Sequence, residues 1–132
     1  MKKPRILVVE DDRIIASSLR MILEKLGYEV TALASTGQAA IREAEETKPD
    51  LVLMDIVLDG EMDGIEAARV IRSHLDIPII YLTAHADHAM RERAAVTQPF
   101  GYLLKPIMKD DLRQMVEGAL STAQGETEEK RG

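Results

Sequence analysis

Short apolar runs alternate along this chain with segments in which apolar and polar positions recur at helical spacing. The apolar runs predict five strands, at residues 5–9, 28–34, 51–55, 78–82 and 100–104. Apolar runs of this length, bounded by turn residues, are typical of parallel strands that are covered on both faces. The second run is less hydrophobic than the others, which predicts a position at the edge of the sheet.

The segments between the apolar runs predict five amphipathic helices. Helical spacing of apolar positions places them over about residues 14–26, 36–47, 64–74, 86–96 and 107–120. Gly27 is placed to end the first helix, and Pro49 prevents the second from continuing. Five strands alternating with five helices predict an α/β domain with a parallel sheet wound on both faces. We expect this domain at residues 3–122, and a flexible polar tail or the start of a linker at residues 123–132.

Composition narrows the possible functions. The chain has 132 residues, a net charge of -6 and only 3% aromatic residues, which argues against direct nucleic-acid binding by this segment. It contains no cysteine, which excludes disulfides and thiolate metal sites and is in keeping with a cytoplasmic protein. No apolar run approaches the roughly 20 residues that span a bilayer, so we expect no membrane association.

Polar side chains follow four of the predicted strands. Glu10 and Asp11 follow the first strand, Asp55 ends the third, Thr83 follows the fourth, and Lys105 follows the fifth. Ligands of open parallel sheets bind beyond the carboxyl ends of the strands, so we expect these side chains to lie close together. Clustered carboxylates repel one another and require a counter-charge. A site with oxygen ligands and no His or Cys favours a hard cation such as Mg²⁺.

This arrangement is suited to phosphoryl transfer. With a divalent ion on one side and Thr83 and Lys105 on the other, the oxygens of a transferring phosphoryl group would be stabilised. Asp55 could then act as a nucleophile and form an acyl phosphate. The alternative is that these residues are ordinary helix caps, turns and a solvent-reaching lysine. Their occurrence together at one sheet edge favours a site.

Five segments resemble a known family. ILVVEDD, LVLMD, MDGIEAA, IIYLTA and GYLLKP, in this order, are similar to the receiver domain of response regulators in two-component signalling, the CheY-like domains. The resemblance covers residues 3–120. It implies a flavodoxin-like (βα)5 fold with strand order 2-1-3-4-5. It also implies a signalling switch rather than an enzyme, which accepts a phosphoryl group from a sensor histidine kinase or a phosphotransfer protein.

The resemblance assigns metal-site roles to individual residues. Asp55 is implied to be the phosphoacceptor. Asp11 is implied to ligate Mg²⁺, or Mn²⁺ as a substitute, directly, whereas Glu10 would act through water. The backbone carbonyl of Val57 would be a further ligand. Asp12, the third acid of its run, is interpreted as a helix cap or a surface charge.

The resemblance also implies a conformational switch. Thr83 matches the switch hydroxyl, Lys105 the phosphoryl-binding lysine, and Tyr102 the aromatic residue that changes rotamer on activation. The Lys105-Pro106 peptide bond is implied to be cis. The face formed by the fourth helix, fifth strand and fifth helix is the family's output surface, where a homodimer is one possible assembly.

Two further sets of positions follow from the resemblance. Val57 and His85 flank the path of the water that hydrolyses the acyl phosphate, so they are expected to tune its lifetime, although His85 could equally be a solvent-facing loop residue. Ile14, Ile15 and Ile107 are expected to dock the kinase.

The loop after Asp55 departs from the commonest family pattern. Asp59 stands where most members have Pro, and the loop is one residue longer. Asp59 and Glu61 either perturb metal affinity or form a solvated turn. Two other functions remain open at this point: an interaction module that does not need phosphorylation, and a phosphorelay intermediate. A stand-alone phosphatase is disfavoured because Val57 occupies the position where such enzymes usually carry a second Asp.

Overall fold

A five-stranded parallel sheet forms the centre of the domain. The computed structural model describes residues 2–84 and 88–131, with side chains as far as residue 122. The strands are β1 (Arg5–Val9), β2 (Glu29–Ala34), β3 (Leu51–Asp55), β4 (Ile79–Thr83) and β5 (Gly101–Leu104). Their order is β2-β1-β3-β4-β5. This order confirms the flavodoxin-like fold, and it confirms that the less hydrophobic β2 lies at an edge.

Five helices connect and cover the strands. They are α1 (Arg13–Lys25), α2 (Gly37–Thr47), α3 (Gly64–His74), α4 (His88–Ala95) and α5 (Lys109–Arg131). The Asp12 side chain accepts hydrogen bonds from the amides of Ile14 and Ile15, so it caps α1 as interpreted from the sequence. Thr36 caps α2 in the same way. Gly27 follows α1 with a φ of 97°, a left-handed conformation that favours glycine.

The core has two layers, one on each face of the sheet. One layer packs α2, α3 and α4 against the sheet through small and branched residues such as Ala40, Ile65 and Ala94. The other packs α1 and α5 through Leu19 and Val116, among others. Every residue of β3 is buried, because this strand lies at the centre of the sheet and both of its faces are covered. The phosphoacceptor candidate therefore ends a fully buried strand.

The last helix is longer than the sequence predicted. We expected α5 to end near residue 120, but it continues to Arg131, through residues that were expected to form a flexible tail. Glu, Gln, Lys and Ala are strong helix formers, and no proline interrupts residues 109–131. The domain boundary at residues 122 and 123 remains a prediction. Among the described residues, no helix is long and apolar enough to cross a membrane.

Candidate functional site

The carboxyl ends of β1, β3, β4 and β5 border a single cleft. Strand register sets this arrangement: Val9 pairs with Met54, and Thr83 pairs with Leu104, so the residues that follow the strands become neighbours. The cleft has a volume of about 510 Å³. Its lining comprises Glu10, Asp11, Asp12, Ile15, Asp55, Val57, Thr83, Ala84 and Lys105. The structure thus brings together all of the residues that the sequence placed at this edge.

Three carboxylates converge in the cleft. Glu10, Asp11 and Asp55 each offer an oxygen, and these atoms all lie within 4.8 Å of one another. Glu10 and Asp55 are almost fully buried, at 2% and 4% exposure, so water screens their repulsion poorly. An all-oxygen donor set of this charge fits a hard divalent cation such as Mg²⁺. Within the described part of the chain, this is the single cluster of potential ligands with such geometry.

Lys105 bridges two of the carboxylates. Its Nζ lies 2.7 Å from Oε1 of Glu10 and 2.8 Å from Oδ2 of Asp55. Burial raises the pKa of Glu10, the neighbouring Asp55 raises it further, and the hydrogen bond from Lys105 opposes the rise. Burial alone would lower the pKa of Lys105, but its hydrogen bonds to Asp55 and Glu10 outweigh burial and raise it. The ammonium group is therefore held in its charged form between the two acids.

Removing this ammonium should destabilise the fold. Lys105→Met keeps the aliphatic stem but leaves Glu10 and Asp55 without their shared cation. We expect the free energy of unfolding to fall by about 2 kcal/mol, less than for a fully buried pair, because the Lys105 side chain is 20% exposed. Urea denaturation followed by circular dichroism measures the change.

A matched lysine provides the control for this prediction. Lys109 is exposed at the start of α5, so Lys109→Met should change the unfolding free energy by less than about 0.5 kcal/mol. Equal effects of the two substitutions would contradict the bridging role of Lys105.

The remaining cleft residues surround Asp55. Oδ1 of Asp55 accepts a hydrogen bond from the Val57 amide at 3.2 Å, which orients the carboxylate. The Val57 side chain is 62% exposed and lies at the rim. Thr83 is buried at 4% exposure, so its hydroxyl belongs to the interior wall of the cleft. His85 lies outside the described residues.

Tyr102 is not among the residues that line the cleft. Its ring stacks on Tyr81, with the ring centroids 5.9 Å apart, and the guanidinium carbon of Arg91 lies 4.9 Å above it. Burial raises the pKa of Tyr81 to about 12, and its hydroxyl is 2.7 Å from that of Thr97. The aromatic switch candidate is therefore held between β4 and α4.

The predicted docking residues differ in exposure. Ile14 is 82% exposed, whereas Ile15 lines the cleft and Ile107 is partly buried against the α1 and α5 core layer. Asp59 and Glu61 are exposed and are not part of the carboxylate cluster, which favours the solvated turn over a role in metal affinity. The Lys105-Pro106 bond is cis, as the resemblance implied.

One ion pair, between Asp63 and Arg93, was not predicted from the sequence. Asp63 caps α3 by accepting from the Glu66 amide, and its other oxygen receives a hydrogen bond from Arg93 of α4 at 2.9 Å. The pattern of an Asp before Gly64 signals the cap, but no local pattern signals a partner thirty residues away. Arg93 is thus engaged within the chain.

Comparisons with known proteins agree with this geometry. The response regulator receiver domain family matches residues 6–117. The transcriptional regulatory protein PdtaR of Mycobacterium tuberculosis is 40% identical over 117 residues, which are 89% of this chain and 57% of PdtaR. The chain thus spans just over half the length of this curated relative.

Solved structures show the same domain. The receiver domain of a modulated diguanylate cyclase from Desulfovibrio desulfuricans G20 has a TM-score of 0.89 and 39% identity, covering 95% of this chain and 99% of that one. A CheY-like receiver domain from Methanospirillum hungatei JF-1 has a TM-score of 0.89 and 28% identity, with the same coverage. Fold, cleft and family match agree, and the chain belongs to the CheY-like response regulator receiver domains of two-component signalling.

Proposed function

We propose that this domain accepts a phosphoryl group on Asp55 from the phosphohistidine of a sensor histidine kinase or a phosphotransfer protein. The observation that carries the proposal is the position of Asp55: a buried carboxylate with an ammonium group 2.8 Å away and two further acids within 4.8 Å. Membership of the receiver domain family implies a kinase partner. The domain acts as a switch, and its only chemistry is its own phosphorylation and dephosphorylation.

In the transfer, an oxygen of Asp55 attacks phosphorus while the bond from phosphorus to the histidine nitrogen breaks, and the imidazole leaves with its electron pair. Lys105 already contacts Asp55 and is placed to bind a phosphoryl oxygen. Glu10, Asp11, Asp55 and the Val57 carbonyl would hold Mg²⁺ or Mn²⁺, which would neutralise charge on the phosphoryl oxygens. Asp11 would bind the ion directly and Glu10 through water.

Phosphorylation would then change the output face. Thr83 lines the same cleft, and in the phosphorylated state its hydroxyl would contact a phosphoryl oxygen on Asp55. Movement of Thr83 would alter the space beside Tyr102, which stacks on the neighbouring strand. The result is a population shift between two states, biased by contacts with the phosphoryl group.

The face formed by α4, β5 and α5, which includes Tyr102, has an apolar groove. It has a volume of about 470 Å³ between α4 and α5, and its lining includes Phe100, Tyr102, Leu104 and Met108. Leu104 and Met108 are both more than half exposed, so this face is suited to a protein partner or to a second copy of the chain. We assign output to this face, with homodimerisation as one form of it.

Residues around the opening of the cleft would bind the kinase and control the access of water. Ile14 is an exposed apolar residue beside the acidic opening, and with Ile15 and Ile107 it would contact the kinase. Val57 at the rim, together with His85, would control access of water to the acyl phosphate. A longer lifetime is expected when Val57 shields the phosphoryl group.

Intact mass spectrometry tests the function directly. The chain should gain one phosphoryl group when incubated with Mg²⁺ and acetyl phosphate or phosphoramidate, and the gain should disappear when EDTA removes the cation. Hydroxylamine should release the group, because acyl phosphates react with this nucleophile. If saturating donor and short incubation give no added mass, the domain is an interaction module that does not use phosphorylation.

A further inference from the structure

The loop that joins β3 to α3, residues 56–63, closes on itself. The amide of Gly64 donates a hydrogen bond to the Ile56 carbonyl at 2.8 Å, so the two ends of the loop meet beside Asp55. Gly60 turns the chain with a φ of 94°. The loop lacks the proline that stiffens most members of the family. Its shape must therefore be held by contacts with the rest of the domain.

Those contacts are made with the junction of β2 and α2. Asp59 forms an isolated parallel bridge with Thr36, the residue that caps α2. Leu58, next to the bridge, is only 8% exposed and packs in the core layer of α2 and α3. Met62 lies directly over Gly37: a Cβ atom added to Gly37 would be 2.8 Å from Cγ and Sδ of Met62. Only a residue without a side chain leaves room for Met62 there.

We propose that Met62, packed on Gly37, positions the metal-binding end of this loop. The inference rests on the proposed function, in which the Val57 carbonyl is a ligand of the divalent cation. Val57 directly precedes Leu58 and Asp59, the two residues that attach the loop to the β2–α2 junction. Met62 is the second attachment, on the far side of Gly60. With both in place the loop is held on either side of Gly60, and the Val57 carbonyl has a defined direction.

Preorganisation of the loop would favour binding of the cation. Ligands that must be ordered at the moment of binding reduce affinity, whereas ligands already held in place do not. Removing Met62 leaves residues 60–63 without their apolar attachment, so part of the ordering would take place when the cation binds. Adding a methyl group at Gly37 displaces Met62 and should have the same consequence from the opposite side of the contact.

Calorimetric titration of Mg²⁺ into the full chain tests the proposal. Met62→Ala and Gly37→Ala should each weaken Mg²⁺ binding by about tenfold, the lower end of the effect of residues that support metal ligands. The double variant should bind Mg²⁺ about as weakly as Met62→Ala alone, because the two closest contacts, with Cγ and Sδ, are gone and the remaining Cβ of residue 62, 3.0 Å from the added methyl group, has to shift only slightly. Met62→Leu, which restores apolar volume, should recover most of the affinity.

The dependence of the phosphorylation rate on Mg²⁺ concentration distinguishes a role of Met62 in positioning the loop from a general loss of structure. The Met62→Ala chain should need more Mg²⁺ for half-maximal phosphorylation by acetyl phosphate, yet its rate at saturating Mg²⁺ should stay within about twofold of the parent rate. Met21→Ala removes an equally flexible side chain, 58% exposed on α1, and should leave Mg²⁺ affinity unchanged.

Two failures can be told apart. If the parent chain binds Mg²⁺ and gains a phosphoryl group while Met62→Ala and Gly37→Ala bind Mg²⁺ as it does, the positioning role is refuted and the proposed function stands. Additive losses in the double variant would also refute it. If the parent chain neither binds Mg²⁺ nor gains phosphoryl mass, both proposals fail.

Discussion

Asp55→Asn should leave the domain folded and abolish phosphorylation. An amide has the shape of a carboxylate, and its single oxygen can accept one of the two hydrogen bonds that Val57 and Lys105 donate to Asp55, but it lacks the negative oxygen that attacks phosphorus. We expect the rate of phosphoryl uptake from acetyl phosphate to fall at least about 10³-fold, as for loss of a nucleophile. Intact mass spectrometry at several times measures the rate. Because one of three clustered charges is removed, the variant should be at least as resistant to urea as the parent chain.

Asp12→Asn is the matched control. Asp12 lines the same cleft, but its carboxylate caps α1 through the amides of Ile14 and Ile15, a role that Asn fills equally well. This variant should be phosphorylated at close to the parent rate. If Asp55→Asn still gained phosphoryl mass, or if only Asp12→Asn failed to gain it, the phosphoacceptor would be a residue other than Asp55.

The sequence predicted the fold and the cleft because both follow from one simple geometry. Parallel strands bring their carboxyl ends to the same edge, so Asp55, Thr83 and Lys105 could be placed together from strand ends alone. Their register in the structure agrees with that expectation. The strand order was not derivable from periodicity and was supplied by the family resemblance. The burial of the central strand then explains why its final carboxylate has so few exposed atoms.

What the sequence did not reveal depends on contacts between distant segments. The Asp63–Arg93 pair joins α3 to α4, and nothing near either residue specifies the other. The stacking of Tyr102 on Tyr81 requires the register of β4 and β5, which no local pattern defines. The loop after Asp55 could be recognised as unusual, but the residues that hold it, Gly37 and Met62, lie on opposite sides of β3 in the sequence.

The continuation of α5 beyond residue 120 was not predicted for a different reason. The low hydrophobicity of residues 124–132 predicted that this segment does not pack into a hydrophobic core. It did not predict whether the segment is helical. Helix formation depends on local propensity and on continuation from a helix already nucleated. Residues 121–131 continue α5 without a breaking proline, so low hydrophobicity did not exclude a helix.

Gly64→Ala should be the most destabilising single methyl addition at the site. A Cβ atom at this position would overlap the Asp55 carbonyl oxygen and lie 2.9 Å from its carbon, and backbone atoms of a central strand cannot move aside as a side chain can. We expect the free energy of unfolding to fall by about 3 kcal/mol or more, the upper range for overpacking. Because the clash acts on Asp55 itself, phosphorylation under folding conditions should also slow.

Gly118→Ala separates this clash from the general effect of adding a methyl group. Gly118 lies in α5, and its Cβ would be 3.1 Å from the ring of Phe100, a partly exposed side chain that can shift. The gain in helix propensity, about 1 kcal/mol, should offset that contact, so its stability should stay within about 1 kcal/mol of the parent value. Urea denaturation of both variants provides the comparison. A Gly64→Ala chain as stable as Gly118→Ala would mean that α3 can retreat from the end of β3, and the close approach would then not be what holds Asp55 in place.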